Sequence, residues 1–85
     1  MAGIWDAVPA ELRPGLPWVW LLGQELVRVE QHRGLVTLTE TEIALRWQRG
    51  RVLVMGRELK LLEIGPDEAV IGGKIDAVSL ISGGN

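Results

Sequence analysis

From Trp18 to Ile81 the chain is a succession of short apolar stretches, broken about every ten residues by glycine or paired charges. Runs of four to eight residues bounded by turn-forming residues read as strands. The candidates cover residues 18–22, 25–30, 34–39, 43–48, 51–55, 58–64, 68–72 and 74–81. The chain is therefore read as all-β, a small antiparallel meander forming a rolled sheet or barrel. A short solenoid-like stack of rungs is the alternative that the ten-residue spacing leaves open. Ahead of the strands, Ile4, Trp5, Val8 and Leu12 fit one face of a short helical turn, with Asp6 placed to cap it and Pro14 and Pro17 closing it. One domain results, with a lead over residues 1–17, a β core over 18–81 and a flexible tail over 82–85.

Side-chain alternation says which strands have a wet face. In "IALRWQ", Ile43, Leu45 and Trp47 point one way and Ala44, Arg46 and Gln48 the other. In "RVLVM" and "AVSLI" both parities are apolar, the pattern of strands covered on two sides. Burial on both sides is difficult for 85 residues acting alone. With no cysteine in the chain, neither a disulfide nor a thiolate zinc site can make up the deficit. The surplus apolar surface therefore points to self-association or a docked partner.

Charge and length narrow the partners. Nine basic and eleven acidic side chains give a net charge of −2 without a basic block, which argues against nucleic acid. The apolar run "WVWLL" is far shorter than the roughly 20 residues of a spanning helix, so no membrane span is expected. Prolines interrupt the N-terminal stretch where a secretory signal would need its apolar run, and the chain is expected in the cytoplasm.

The single histidine lies in "RVEQHRG", residues 28–34. Glu30 and His32 share a strand face, so the carboxylate can orient the imidazole as a general base, or the two can hold a metal. A zinc site needs three or four ligands, and the chain offers no second histidine and no thiolate. The stretch therefore reads mainly as a solvated strand end, with Arg28 and Glu30 on its outward parity, His32 and Arg33 riding its end and Gly34 reversing the chain. Trp18 and Trp20 project from one face of the first strand, where they serve either as core or as an interaction hot spot. Trp18, Trp20, Glu30, His32 and Arg33 are thus the candidate protein-interaction residues. Gly34, Gly50, Gly56 and Gly73 are read as structural turn or bulge glycines. No nucleophile constellation, phosphate loop, cofactor motif or small-molecule substrate site is recognisable. An alternative reading is a regulatory β-barrel binding a small ligand, with the tryptophans and the 30–33 cluster at its mouth.

Taken in order, "LPWVWLLG", "VEQHRG", "VMGRELKL" and "VIGGKI" resemble the YabP/YqfC family of sporulation proteins, colinearly from about Pro9 to Leu80. The proline-containing lead and "HRG" are more similar to the YqfC branch. Gln31 stands where that family usually has Asn, a residue tolerant of left-handed backbone, so a slightly different local turn is expected. The resemblance implies a non-enzymatic protein of the mother cell that acts in spore development. It also implies a working partnership with a YqfD-like membrane protein, and through it a peripheral place at the membranes enveloping the forespore. No catalytic residues and no cofactor come with the resemblance.

Overall fold

The computed structural model describes residues 15–83. The helical turn expected from Ile4 to Leu12 lies outside them, as do the last two residues of the tail. Six strands are present: β1 (Trp18–Leu22), β2 (Leu26–Glu30), β3 (Leu35–Leu38), β4 (Glu42–Trp47), β5 (Gly50–Ile64) and β6 (Glu68–Ser82). They form one antiparallel sheet in the order β1-β2-β6-β5-β4-β3. The fold is all-β and antiparallel as expected, but β2 joins β6 where a meander would continue to β3, and antiparallel pairing throughout replaces the solenoid alternative.

Two expected pairs of short strands are continuous. Residues 51–55 and 58–64 both belong to β5, and residues 68–72 and 74–81 both belong to β6, which runs on to Ser82. The glycine-marked breaks are bulges within long strands, at Met55/Gly56, Arg57/Lys60 and Leu61/Glu63. Bending is obligatory, because 15 extended residues reach about 50 Å whereas the molecule's longest dimension is 37 Å. At the bend Gly73 takes φ 134° against Glu58 at φ 52°. A Cβ on Gly73 would lie 2.6 Å from the Glu58 carbonyl oxygen, so the position needs glycine for both its backbone and its space.

Each half of the bent β5–β6 hairpin carries a second hairpin. β2 pairs only with residues 68–72 of β6, and β4 pairs only with residues 50–55 of β5. The turns of the outer hairpins fasten the bend from its two sides. Gly73 N and Ile75 N donate to the carbonyls of Glu25 and Gln24, while Gly56 N and Leu59 N donate to those of Thr41 and Glu40. The Glu40–Thr41 turn is itself capped as its sequence suggests, with Thr39 Oγ1 accepting from Glu42 N at 2.9 Å.

The link between β2 and β3 forces the sheet to roll. Four spacings separate these strands in the sheet order, about 19 Å if flat. The chain has only residues 31–34 to cross with, about 17 Å from Glu30 to Leu35 at full extension. Arg33 N donates to Arg46 O and Arg46 N to Gly34 O, which holds the link against β4. The sheet rolls without closing, since β1 and β3 remain its two edges. Val27, Val29, Ala69 and Ile71 from one half meet Ile43, Leu45, Trp47, Val52 and Val54 from the other in one core. Trp47 is accordingly a core residue.

Of the four glycines singled out, Gly50 differs from the turn role expected of it, while Gly56 lies at a bulge. The β4–β5 turn is made by Gln48 and Arg49, and Gly50 opens β5 without positive φ. Glycine is required there because a Cβ would run into the Ile81 carbonyl, and Gly56 is constrained likewise by the Lys74 carbonyl. Gly34 and Gly73 do carry positive φ. Gln31 also adopts left-handed backbone, at φ 68°, the conformation that Asn tolerates better than other non-glycine residues.

Candidate protein-interaction face

Residues directly opposite one another in a sheet share a face. Trp18 stands opposite Glu30, Trp20 opposite Arg28 and Leu22 opposite Leu26, while Arg28 and Glu30 stand opposite Val70 and Glu68. These side chains therefore cover the outer surface of the β1-β2-β6 half, with Val27, Val29, Ala69 and Ile71 beneath them in the core. The indoles of Trp18 and Trp20 stack with centroids 5.9 Å apart and planes inclined by 13°. Trp20 Nε1 donates to Glu30 Oε2 at 2.9 Å, tying the aromatic pair to the charged row.

Glu30 and Glu68 are like charges on neighbouring strands, and Arg28 lies between them. Its Nη2 donates to Glu68 Oε2 at 2.8 Å, and its Nε lies 3.6 Å from Glu30 Oε2. The hydrogen bond to Glu68, then the charges of Glu68 and Glu30, hold the guanidinium protonated more firmly than usual. At this degree of exposure the pairs fix geometry more than they add stability. Trp20 is 54% exposed and Leu22 68% exposed, and Leu62 reaches over Gly72 on the same surface. The hollow lined by Trp20, Leu21, Leu22, Leu26, Arg28 and Glu30 is an open groove on the outside of the sheet.

The five predicted interaction residues separate into two groups. Trp18, Trp20 and Glu30 come together on this face. His32 does not, being only 3% exposed. Positive φ at Gln31 turns the chain after Glu30, and His32 Nδ1 accepts a hydrogen bond from Gly34 N at 2.9 Å. With Nδ1 the acceptor, the neutral ring carries its proton on Nε2, which is buried without a partner among the described residues. Glu30 is bonded to Trp20 while His32 is bonded to the backbone, so the two do not form an acid–base pair. Arg33 is exposed, anchored through its backbone to Arg46. Among the described residues no group of three His, Asp or Glu side chains is arranged to hold a metal ion. Nor is any helix there long and apolar enough to cross a membrane.

Sequence reading missed Arg28, Leu22, Leu62, Val70 and Glu68 as parts of this face. The shared outward parity of Arg28 and Glu30 was visible, but only the β1–β2 and β2–β6 registers place that row beneath the tryptophans and beside Glu68.

The model of the YabP family matches residues 18–85. The chain belongs to the YabP family. The family match begins with the first residue of β1, so the YabP-family unit in this chain includes the whole rolled sheet. The uncharacterized protein YqfC of Bacillus subtilis (strain 168) is 28% identical over 74 residues, spanning 87% of this chain and 80% of that protein. No solved structure gives a significant match. The YabP-family match includes the β2–β3 link with buried His32 as well as the Trp20–Glu30 face.

Proposed function

We propose that this YabP-family chain is a non-enzymatic interaction module of spore development, made in the mother cell, which self-associates and engages a YqfD-like membrane protein. The observation that carries the reading is the apolar surface left uncovered around the stacked tryptophans. Trp20, Leu22 and Leu62 are each more than half exposed on the outside of one half of the sheet. Exposed aromatic and aliphatic groups clustered around a fixed ion-pair row suit a protein partner better than solvent. Family membership and the relationship to YqfC support the link to sporulation. Glu30 and Glu68 flank Arg28 on the face, with Glu63 near enough to influence its charge. A partner segment that combines apolar and basic side chains complements this surface.

The test is co-purification from detergent extracts of cells expressing this chain together with the YqfD-like membrane protein. Trp20→Ala, at an exposed position, is expected to leave the fold intact and lower recovery by about tenfold, the effect of losing one hot-spot aromatic. Unchanged recovery for Trp20→Ala would remove the face from the proposal. Failure of the parent chain to co-purify would remove the partner. Sedimentation of the purified chain over a wide concentration range tests self-association separately, and a monomer throughout would overturn it.

A further inference from the structure

We infer that the second half of β6, Asp76 to Ser82, is a self-pairing edge along which two copies of this chain join antiparallel about a two-fold axis at Ser79. The inference rests on the proposal that the chain self-associates, and it assigns that association to one strand.

The edge follows from the unequal lengths of the strands. β5 and β6 each have 15 residues, whereas β4 and β2 have six and five. Among the described residues, half of each long strand therefore has a neighbour on one side only. The β1–β2 turn reaches β6 as far as Ile75, and no pairing among the described residues covers the outer side beyond it. The hydrogen bond from Gly83 N to Arg49 O at 2.6 Å fixes which backbone groups face outward. Bonds alternate along an antiparallel ladder, so Ala77, Ser79 and Ile81 exchange theirs with Met55, Leu53 and Arg51. The N–H and C=O groups of Val78, Leu80 and Ser82 are left pointing away from the sheet, and the alternation ends at the bulge residue Asp76.

The molecule contains its own comparison. The corresponding free half of β5 bears Lys60 and Glu63, charges of the kind that discourage edge pairing. β1 is a short edge preceded by Pro17, and β3 has four residues and a register shift. The β6 edge has no charge, proline or bulge from Ala77 to Ile81. It also exposes apolar side chains on both faces, with Leu80 58% and Ile81 44% accessible. This is the "AVSLI" stretch whose two apolar parities suggested cover on both sides, cover that the described residues do not provide.

The segment is complementary to itself. With the axis at Ser79, Val78 of one copy pairs with Leu80 of the other, Ala77 with Ile81, and Asp76 with Ser82. The two small Ser79 side chains meet at the centre, and the two Asp76 carboxylates are kept far apart. Outward-facing backbone groups meet outward-facing groups at the two Val78–Leu80 positions that flank the axis. Seven paired residues give a ladder of about 24 Å and bury on the order of 1,000 Å² in total, near the lower limit for a specific interface. The dimer is therefore reversible and dissociates on dilution.

Ser79→Cys tests the axis, because the chain has no other thiol. Opposed non-hydrogen-bonded residues have Cα atoms about 4.5 Å apart, within disulfide range. Mild oxidation with copper phenanthroline is expected to convert most of Ser79→Cys into a covalent dimer at concentrations where the parent dimerises. Leu80→Lys, at an exposed site, is expected to abolish dimerisation in sedimentation while leaving the circular dichroism unchanged. In hydrogen exchange on the parent chain, protection of the Val78 and Leu80 amides should rise with protein concentration. Three results would overturn the edge while preserving self-association: a parent dimer with no Ser79→Cys cross-link, a Leu80→Lys variant that dimerises normally, or concentration-independent protection showing that the chain's own N-terminal segment covers the strand. A parent chain monomeric at every concentration overturns both proposals.

Discussion

Replacing His32 by alanine separates a buried structural role from surface recognition. The imidazole is 3% exposed, and removing all but its Cβ leaves a void in the β2–β3 link. Truncation of a large buried side chain costs roughly 3 kcal/mol. The Gly34 N–H loses its 2.9 Å acceptor at the same time, worth about 1 kcal/mol or more when the donor stays dry. Against these stands one gain: the Nε2–H that is buried without a partner among the described residues disappears, recovering about 1–2 kcal/mol. The net expectation for His32→Ala is a loss of about 2–3 kcal/mol. His32→Leu keeps most of the volume and exchanges one unsatisfied donor for another, so it should stay within about 1 kcal/mol of the parent. A domain of this size has roughly 4–13 kcal/mol in total, which makes the difference easy to resolve. Urea denaturation followed by tryptophan fluorescence is the assay, with buried Trp47 reporting the core. If His32→Ala matched the parent in stability and instead weakened partner capture, the inward-facing imidazole and the argument built on it would be wrong.

Two further perturbations test the bend. Gly34→Ala meets no atoms of the described residues within 4 Å but must hold φ 134°, whereas Gly73→Ala carries the same φ and sets its Cβ 2.6 Å from the Glu58 carbonyl; denaturant midpoints should show a loss of about 1–2 kcal/mol for the first and clearly more for the second. Lys74 Nζ lies 2.9 Å from Glu58 Oε2, and this hydrogen bond, followed by the ammonium charge, holds the Glu58 carboxyl below its ordinary value of 4.5. A depressed carboxylate contributes stability that is complete above the unfolded value and disappears as pH falls through the folded one. The stability difference between the parent and Glu58→Gln should therefore be small, salt-sensitive and confined to the neutral side; a difference that grew on acidification would contradict the pairing.

The sequence was most informative wherever a physical signal is local. Alternation in "IALRWQ" placed Ile43, Leu45 and Trp47 in the core, and "GPDE" marked the β5–β6 turn, closed by Gly65 N donating to Glu68 O. Glycine was ambiguous, since a break between strands and a bulge within one strand look alike until pairing is known. Residues 51–55 and 58–64 consequently read as two strands, although they form one. His32 was misplaced outside because nothing in "EQHRG" reveals that β2 and β3 lie far apart in the sheet order, the circumstance that draws the link inward. The interaction face was half legible for the same reason. Trp18 and Trp20 share a parity, but Glu68 joins them only through pairing between β2 and β6.

That β2–β6 pairing has a kinetic consequence. β1 with β2, β3 with β4, β4 with β5 and β5 with β6 are all sequence neighbours that can zip from a turn, whereas Val29 must find Ala69 across forty intervening steps of chain. Folding of this sheet therefore waits on one long-range closure, and until it occurs β2 and the first half of β6 present bare edges to every other chain in solution. Refolding kinetics of Val29→Ala measure how much of that closure is complete at the barrier.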